Sequence, residues 1–359
     1  MICLDGTGNQ MRAKGDTNVV RLYAMLAHDD PTAQVAYYDP GVGTFSAQGA
    51  WGPVSKGLSK LLGLAFGTGL RQNIGEAYTF LIRTWEPGDR LYLFGFSRGA
   101  WAVRALAGMI GELGILRPGS ENLVPYAVGV YTRGKRYEQH DWEGLRGFGK
   151  TFSRKVNRSP AVPIEFIGVW DSVKAGGFFG INMSWPYSSK LRTAKTVRHA
   201  LSIHEKRRPY RPSLVFPTLT FPYKRHQDFH QVWFSGVHSD VGGTFEPAPV
   251  DPVSKRAPVA LSSIALNWML DGALASGLHV VPARYNKLQK EIGTDPMLGP
   301  VHRMGWVWIL LTYRRRTIEP GAHVHSSVRG PWEGNHKFAR NVPADAVWVD
   351  PDWARPRPH

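Results

Sequence analysis

One cysteine, Cys3, stands among 359 residues. A disulfide needs two thiols and a thiolate metal site needs several, so neither framework can form within this chain. Long hydrophobic runs are also missing. The nearest candidate, Leu58–Leu70, is interrupted by Lys60 and three glycines, well short of the roughly 20 apolar residues that span a bilayer. The opening MICLDGTGNQ has no basic region followed by an apolar stretch and reads as a strand already in progress. No export signal is expected, which makes cytoplasmic synthesis the default and leaves signal-independent secretion open. Acidic residues are scarce: 28 Asp and Glu against 44 Lys and Arg, a net charge of +16. The excess gathers in Arg133–Arg158 and Arg192–Arg225. These stretches carry neither paired zinc ligands nor the aromatic motif of an RNA-binding sheet, so nucleic acid is not the expected partner. A generally solvated basic face is the plain reading of the charge, with an anionic membrane surface or an acidic partner as the alternative. Internal repeats and low-complexity tracts are absent, and oligomeric state is not legible.

What is present is an alternation of strands and helices. MICLD, QVAYYDPG, RLYLFGF, PIEFIGVWDSV and HQVWFSGVHSDVGG are short apolar runs that end in turn residues. Between them, TNVVRLYAMLA (capped by Thr17 or Asn18), NIGEAYTFLIRTW and ALSSIALNWMLDGALASGL have helical spacing. Such alternation predicts an α/β fold with a mainly parallel, doubly wound sheet, helices on both faces and irregular insertions. One catalytic domain is expected over residues 1–285, with basic insertions at about 117–160 and 174–229. Residues 286–359 read as an irregular extension packed on the same domain, with GWVWILLTYRRR as a candidate strand. A further helix is expected around TAKTVRHALSIHEKR, and the Gly-rich segment 41–70 reads as a mobile loop over a cleft.

The most informative stretch is LYLFGFSRGAWAVRALAGMI. Gly95-Phe96-Ser97-Arg98-Gly99 falls where an apolar strand gives way to an Ala-rich helix, the arrangement of a nucleophile elbow. A serine at that turn sits in a strained backbone, and bulky residues two places before or after it would clash. The helix behind points its first amides at the same spot, so the Arg98 amide is a candidate oxyanion donor. Gly6 and Thr7, in the turn after the first strand, are candidates for a second donor, and Asp5 would lie near the serine facing substrate.

A serine nucleophile needs a base and an orienting acid. Asp171 ends EFIGVWD and His238 ends VWFSGVH, giving the chain order Ser, acid, His at the ends of successive strands. Asp240, two residues past His238, competes with Asp171 as the acid, or else caps its own turn. Four other readings of motif and residue type stand beside the serine mechanism. The aspartate-nucleophile motif DxDGT fails because Cys3 stands where its first aspartate belongs. A phosphate-binding loop fails because the Gly-rich segment lacks G-x-x-x-x-G-K-[ST]. Metal-assisted phosphoester hydrolysis, through Asp5, Asp171, His238 and Asp240, remains as an alternative, as does a non-catalytic domain that docks on membranes or an acidic partner. Neither the serine mechanism nor its residues call for a cofactor.

Taken together, LDGTGN, GTGLRQNIGEAYTFL, GDRLYLFGFSRGAWAVRALAGMI, GVWDSV and GVHSDVGG closely resemble the α/β-hydrolase family of type VI secretion phospholipase effector catalytic domains and their relatives. The likeness runs in order from residue 2 to about 275. It implies an α/β-hydrolase fold, a Ser97/Asp171/His238 triad with Asp240 as a second acid candidate, and activity on carboxylic esters, with phospholipids as the substrates of the characterised members. The family pattern leads one to expect an acidic residue at position 204, where this chain has His204.

Overall fold

The computed structural model describes residues 1–6, 15–41, 56–132, 142–156, 159–173, 185, 188–220, 226–302, 314–329 and 341–355, with the backbone alone for 56–68. The apolar runs form strands β1 (Ile2–Leu4), β2 (Tyr37–Asp39), β3 (Tyr92–Phe96), β4 (Ile164–Trp170), β5 (Ala194–Ser202), β6 (Asp228–Phe234), β7 (His323–His325) and β8 (Val347–Val349). All pair in parallel, in the order β2-β1-β3-β4-β5-β6-β7-β8. The chain therefore starts one strand in from the edge, steps outward to β2, then reverses past β1 to β3. Ligand sites of open α/β sheets lie at such a reversal, at the carboxyl ends of the strands.

Period-two alternation sends strand side chains to opposite faces. Ile2, Leu4 and Leu93 join one buried cluster, while Cys3, Tyr92, Phe94 and Phe96 join another. Helices α2 (Lys56–Thr84), α3 (Ser97–Leu113), α4 (Val124–Thr132) and α5 (Trp142–Phe152) build the first cluster through Ile74, Tyr78, Leu106, Val128 and Leu145. Helices α1 (Asn18–Met25), α7 (Leu261–Ala275) and α8 (Pro282–Ile292) build the second through Leu22, Leu266, Met269 and Leu288. The doubly wound α/β-hydrolase-like architecture is thus present, with helices on both faces. Of the two candidate caps for α1, Thr17 takes the position: its hydroxyl accepts from the Val20 amide at 3.2 Å.

Two elements differ from the sequence reading. TAKTVRHALSIHEKR is not a helix; it supplies β5, paired with β4 on one side and β6 on the other. Its apolar residues Ala194, Val197, Ala200 and Leu201 are spaced like a helix face, because a strand covered on both sides loses clean alternation. Its polar members are buried too: His199 is 0% exposed and bonds Gln231 Oε1 through Nδ1 at 2.9 Å. Likewise, Lys56–Leu70 of the Gly-rich segment is part of α2; residues 42–55 lie outside the described residues. So do residues 305–313 of the candidate strand GWVWILLTYRRR (its last three, Arg314–Arg316, are described and are not in a strand), the basic residues 133–141 and parts of the 174–229 insertion. Residues 286–359 hold the end of α8 as well as β7 and β8, which extend the same sheet. Among the described residues, no helix is long and apolar enough to cross a membrane.

Candidate active site

Three loops leave the carboxyl edge of the sheet from β3, β4 and β6, and each delivers one side chain. At the β3–α3 junction Ser97 has φ 59°, a left-handed conformation that costs a residue with a Cβ about 1–3 kcal/mol. The flanking glycines permit it. A Cβ on Gly95 would lie 2.7 Å from the Gly99 carbonyl oxygen and 2.8 Å from the Ala100 Cα, and one on Gly99 would run into the carbonyls of Leu4 and Asp5. Gly99 thus lets α3 press against the end of β1. Asp171, directly after β4, is also left-handed at φ 40°, and its amide donates to the Ala200 carbonyl at 2.7 Å. His238 opens the short helix α6 (His238–Gly242) after Gly236 at φ 111°.

These side chains join into one relay. Ser97 Oγ lies 2.8 Å from His238 Nε2, and His238 Nδ1 lies 2.6 Å from Asp171 Oδ2. The bond to the carboxylate places a proton on Nδ1 and leaves Nε2 to accept from the serine. All three are buried: Ser97 5%, Asp171 0% and His238 4% exposed. The imidazole is flanked by the Phe96 ring at 4.6 Å and the edge-on Tyr210 ring at 4.8 Å. Burial lowers the His238 pKa below its ordinary value, and the Asp171 bond and charge only partly oppose that, so the ring is neutral and basic at neutral pH. Burial alone would raise the Asp171 pKa, but the Arg316 guanidinium and His238 outweigh it and hold the carboxyl well below the usual range. Asp171 stays ionised.

Several members of this site carry no signal in the sequence. Arg316 grips both Asp171 oxygens, Nη1 to Oδ1 at 2.5 Å and Nη2 to Oδ2 at 2.9 Å. Ser202 adds its amide to Oδ1 at 2.9 Å and its hydroxyl to Oδ2 at 3.2 Å. Glu205 accepts the His238 amide at 3.2 Å and pairs with Arg207 at 2.7 Å. Arg316 sits in an RRR run at the end of the candidate strand GWVWILLTYRRR, and Glu205 in IHEKR at the end of the expected helix, so neither stands out as a site residue. Position 204 carries no acid; the carboxylate in this stretch is that of Glu205. His204 instead accepts the Gly236 amide at 2.8 Å, tying the β5 loop to the turn that carries His238.

Other expected residues are placed differently. Asp240 does not face His238. Its Oδ2 accepts the Val237 and His302 amides at 2.9 and 3.1 Å, and its Oδ1 meets His302 Nδ1 at 2.5 Å; it caps its own turn, and burial raises its pKa. Asp5 is 1% exposed and bonds the Thr17 hydroxyl at 2.5 Å and the Tyr38 phenol at 3.1 Å. Its carboxylate ties β1 to β2 and to the cap of α1. The Gly6 amide donates to Asp5 Oδ1 at 2.7 Å, which competes with an oxyanion role. Arg98 occupies the first turn of α3 as expected; Thr7 lies outside the described residues.

Fold and relay together are those of a serine hydrolase of the α/β-hydrolase class. Within that class, the chain belongs to the family described as "T6SS, Phospholipase effector Tle1-like, catalytic domain", which it matches over residues 1–272. It is 32% identical over 227 residues to the uncharacterized protein YEL023C of Saccharomyces cerevisiae, covering 62% of this chain and 33% of the yeast one. Among solved structures it is similar to an uncharacterized protein from Pseudomonas aeruginosa, with TM-score 0.44, 20% identity, and 81% of this chain and 48% of that one covered. It is also similar to the Tle1 effector bound to the VgrG spike of the type 6 secretion system, with TM-score 0.40, 16% identity, and 80% and 75% covered. The chain thus spans a third of the length of the yeast relative and about half of the Pseudomonas protein.

Proposed function

We propose that the chain hydrolyses carboxylic esters through an acyl-enzyme on Ser97, and that lipid acyl esters, phospholipids among them, are its substrates. The observation that carries this reading is the continuous relay from Asp171 through His238 to Ser97. His238 Nε2 takes the hydroxyl proton as Oγ bonds to the ester carbonyl carbon. Asp171 holds the tautomer and stabilises the imidazolium. The proton then passes from Nε2 to the leaving alcohol as the C–O bond breaks, and water repeats the sequence on the acyl-enzyme. The Arg98 amide, at the positive end of α3, is the first candidate to meet the developing oxyanion. Gly6 could act as second donor only by leaving Asp5 Oδ1. Family membership supports the lipid substrate class.

A membrane surface as the setting has support from the chain itself. The loop between α6 and α7 leaves from the sheet edge that carries the triad. It exposes Val250 and Val253, 58% and 89% accessible, beside the exposed Lys255 and Arg256, the latter paired with Asp295. Apolar side chains flanked by cations suit an anionic bilayer, and the net charge of +16 acts in the same direction. The metal-assisted alternative meets a chemical obstacle. Its candidate ligands are dispersed among separate partners, and Asp171 already lies against a guanidinium whose charge opposes a cation.

The test is steady-state hydrolysis of a p-nitrophenyl ester series and of phosphatidylglycerol vesicles. Wild type should turn over both, and Ser97→Ala should lose about 10⁶-fold in kcat. Turnover undiminished in Ser97→Ala, or abolished by a chelator, would remove the serine reading.

A further inference from the structure

The match to the family covers residues 1–272, yet the buried carboxylate of the relay is held from residue 316. We infer that Arg316 is a positioning residue for the reaction: it fixes the Asp171 carboxylate so that Oδ2 meets His238 Nδ1, making the C-terminal segment part of the working site. This inference rests on the serine-hydrolase reading.

Arg316 is built in rather than laid on. It is 6% exposed. Besides both Asp171 oxygens, its guanidinium donates to the Ser202 carbonyl at 3.0 Å and the Tyr210 carbonyl at 2.6 Å. One fork therefore connects the loop after β4, the end of β5 and the stretch carrying Tyr210, whose ring packs edge-on against His238. Two residues earlier, the Arg314 amide donates to the Lys206 carbonyl at 2.8 Å. Two residues later, Ile318 enters the small cluster under β7 with Leu201 and Trp233. The segment is thus pinned on both sides of the guanidinium.

A two-pronged arginine fits a carboxylate in one plane, so it fixes direction as well as charge. Rotation of Asp171 about its terminal torsion would break both prongs. Ser202 also meets both oxygens, but through an amide at 2.9 Å and a rotatable hydroxyl at 3.2 Å, a looser hold than two prongs of one rigid guanidinium. The arrangement also sets how strongly Asp171 acts on His238, because a cation on the far side of the carboxylate offsets part of its field. Among the described residues, the other charged groups acting on the imidazole are Glu205 and Arg207 from the β5 loop; His199 accepts the Ser172 amide and Arg104 donates to the Ser172 hydroxyl, next along the chain from Asp171. His199 is held neutral, its pKa lowered to about 3 by burial and Arg104, so Arg316 is the cation in direct contact with the carboxylate among the described residues.

The experiment compares the full-length chain with Arg316→Gln and Arg316→Lys in hydrolysis of p-nitrophenyl butyrate from pH 4 to 9, with thermal melting to follow folding. Arg316→Gln should lower kcat about 100-fold with KM unchanged. It should also move the acid limb of kcat/KM upward by about one pH unit, since the imidazolium then meets an uncompensated carboxylate. Arg316→Lys keeps the charge and loses the fork: kcat should fall about tenfold with the acid limb in place. A role confined to stability would lower the melting temperature without moving the limb or splitting kcat from KM, and would overturn the inference. If Arg316→Gln does not fold, Arg316→Lys decides: undiminished kcat overturns the proposal. An inactive wild type removes the serine reading and this inference together, whereas active wild type with unchanged variants removes this inference alone.

Discussion

Two buried aspartates stand at the carboxyl ends of two strands of one sheet, Asp5 after β1 and Asp171 after β4, 1% and 0% exposed. Their surroundings separate them. Asp5 takes bonds from a hydroxyl, a phenol and the next residue's amide; Asp171 meets an imidazole and a guanidinium. The donors around Asp5 keep their protons throughout, so they fasten β1 to its neighbours. The imidazole on Asp171 gains and loses a proton in each half-reaction, and the guanidinium keeps the carboxylate ionised while it does so. Position at a strand end brings a carboxylate to the site; the titration of its partner decides whether it takes part in chemistry.

Asparagine at each position widens or closes that difference. Asp171→Asn should cost about 10⁴-fold in kcat, because the amide favours the wrong imidazole tautomer; ester kinetics at pH 8 measure it, and a loss below tenfold would put the two aspartates in one class. Asp5→Asn should leave kcat in place and cost about 2 kcal/mol of stability, read as a lower urea midpoint; a large loss of kcat without loss of stability would restore Asp5 to the substrate side. Asp240→Asn should cost about 1 kcal/mol through the His302 and Val237 bonds, with kcat unchanged; a loss matching that of Asp171→Asn would make Asp240 the orienting acid. The smallest effect is in pH. The base acts unprotonated and burial lowers its pKa from 6.5. Activity should therefore persist as pH falls through 6.5, with the half-maximal point of kcat/KM below that value; a midpoint above it contradicts the burial argument.

The same contrast explains what could be read from the sequence. The elbow was legible because its glycines answer a local steric demand within five residues. Asp171 and His238 were legible because each ends an apolar run. The helix reading of β5 failed because His199 and Arg198 count as polar in a pattern, while the fold supplies Gln231 and Asp228 as partners. Arg316 was silent for a related reason: nothing local distinguishes it from the neighbouring Arg314 and Arg315, and its place is set by a carboxylate 145 residues away. Asp240 and Asp171 look equivalent as letters; only the side-chain directions around His238 separate them.

Fluorophosphonate labelling followed by peptide mass spectrometry tests the central claim most directly. The account predicts one adduct, on Ser97, forming quickly in wild type and lost in His238→Ala. A label on another residue, or labelling of Ser97 that proceeds undiminished without the imidazole, would contradict it.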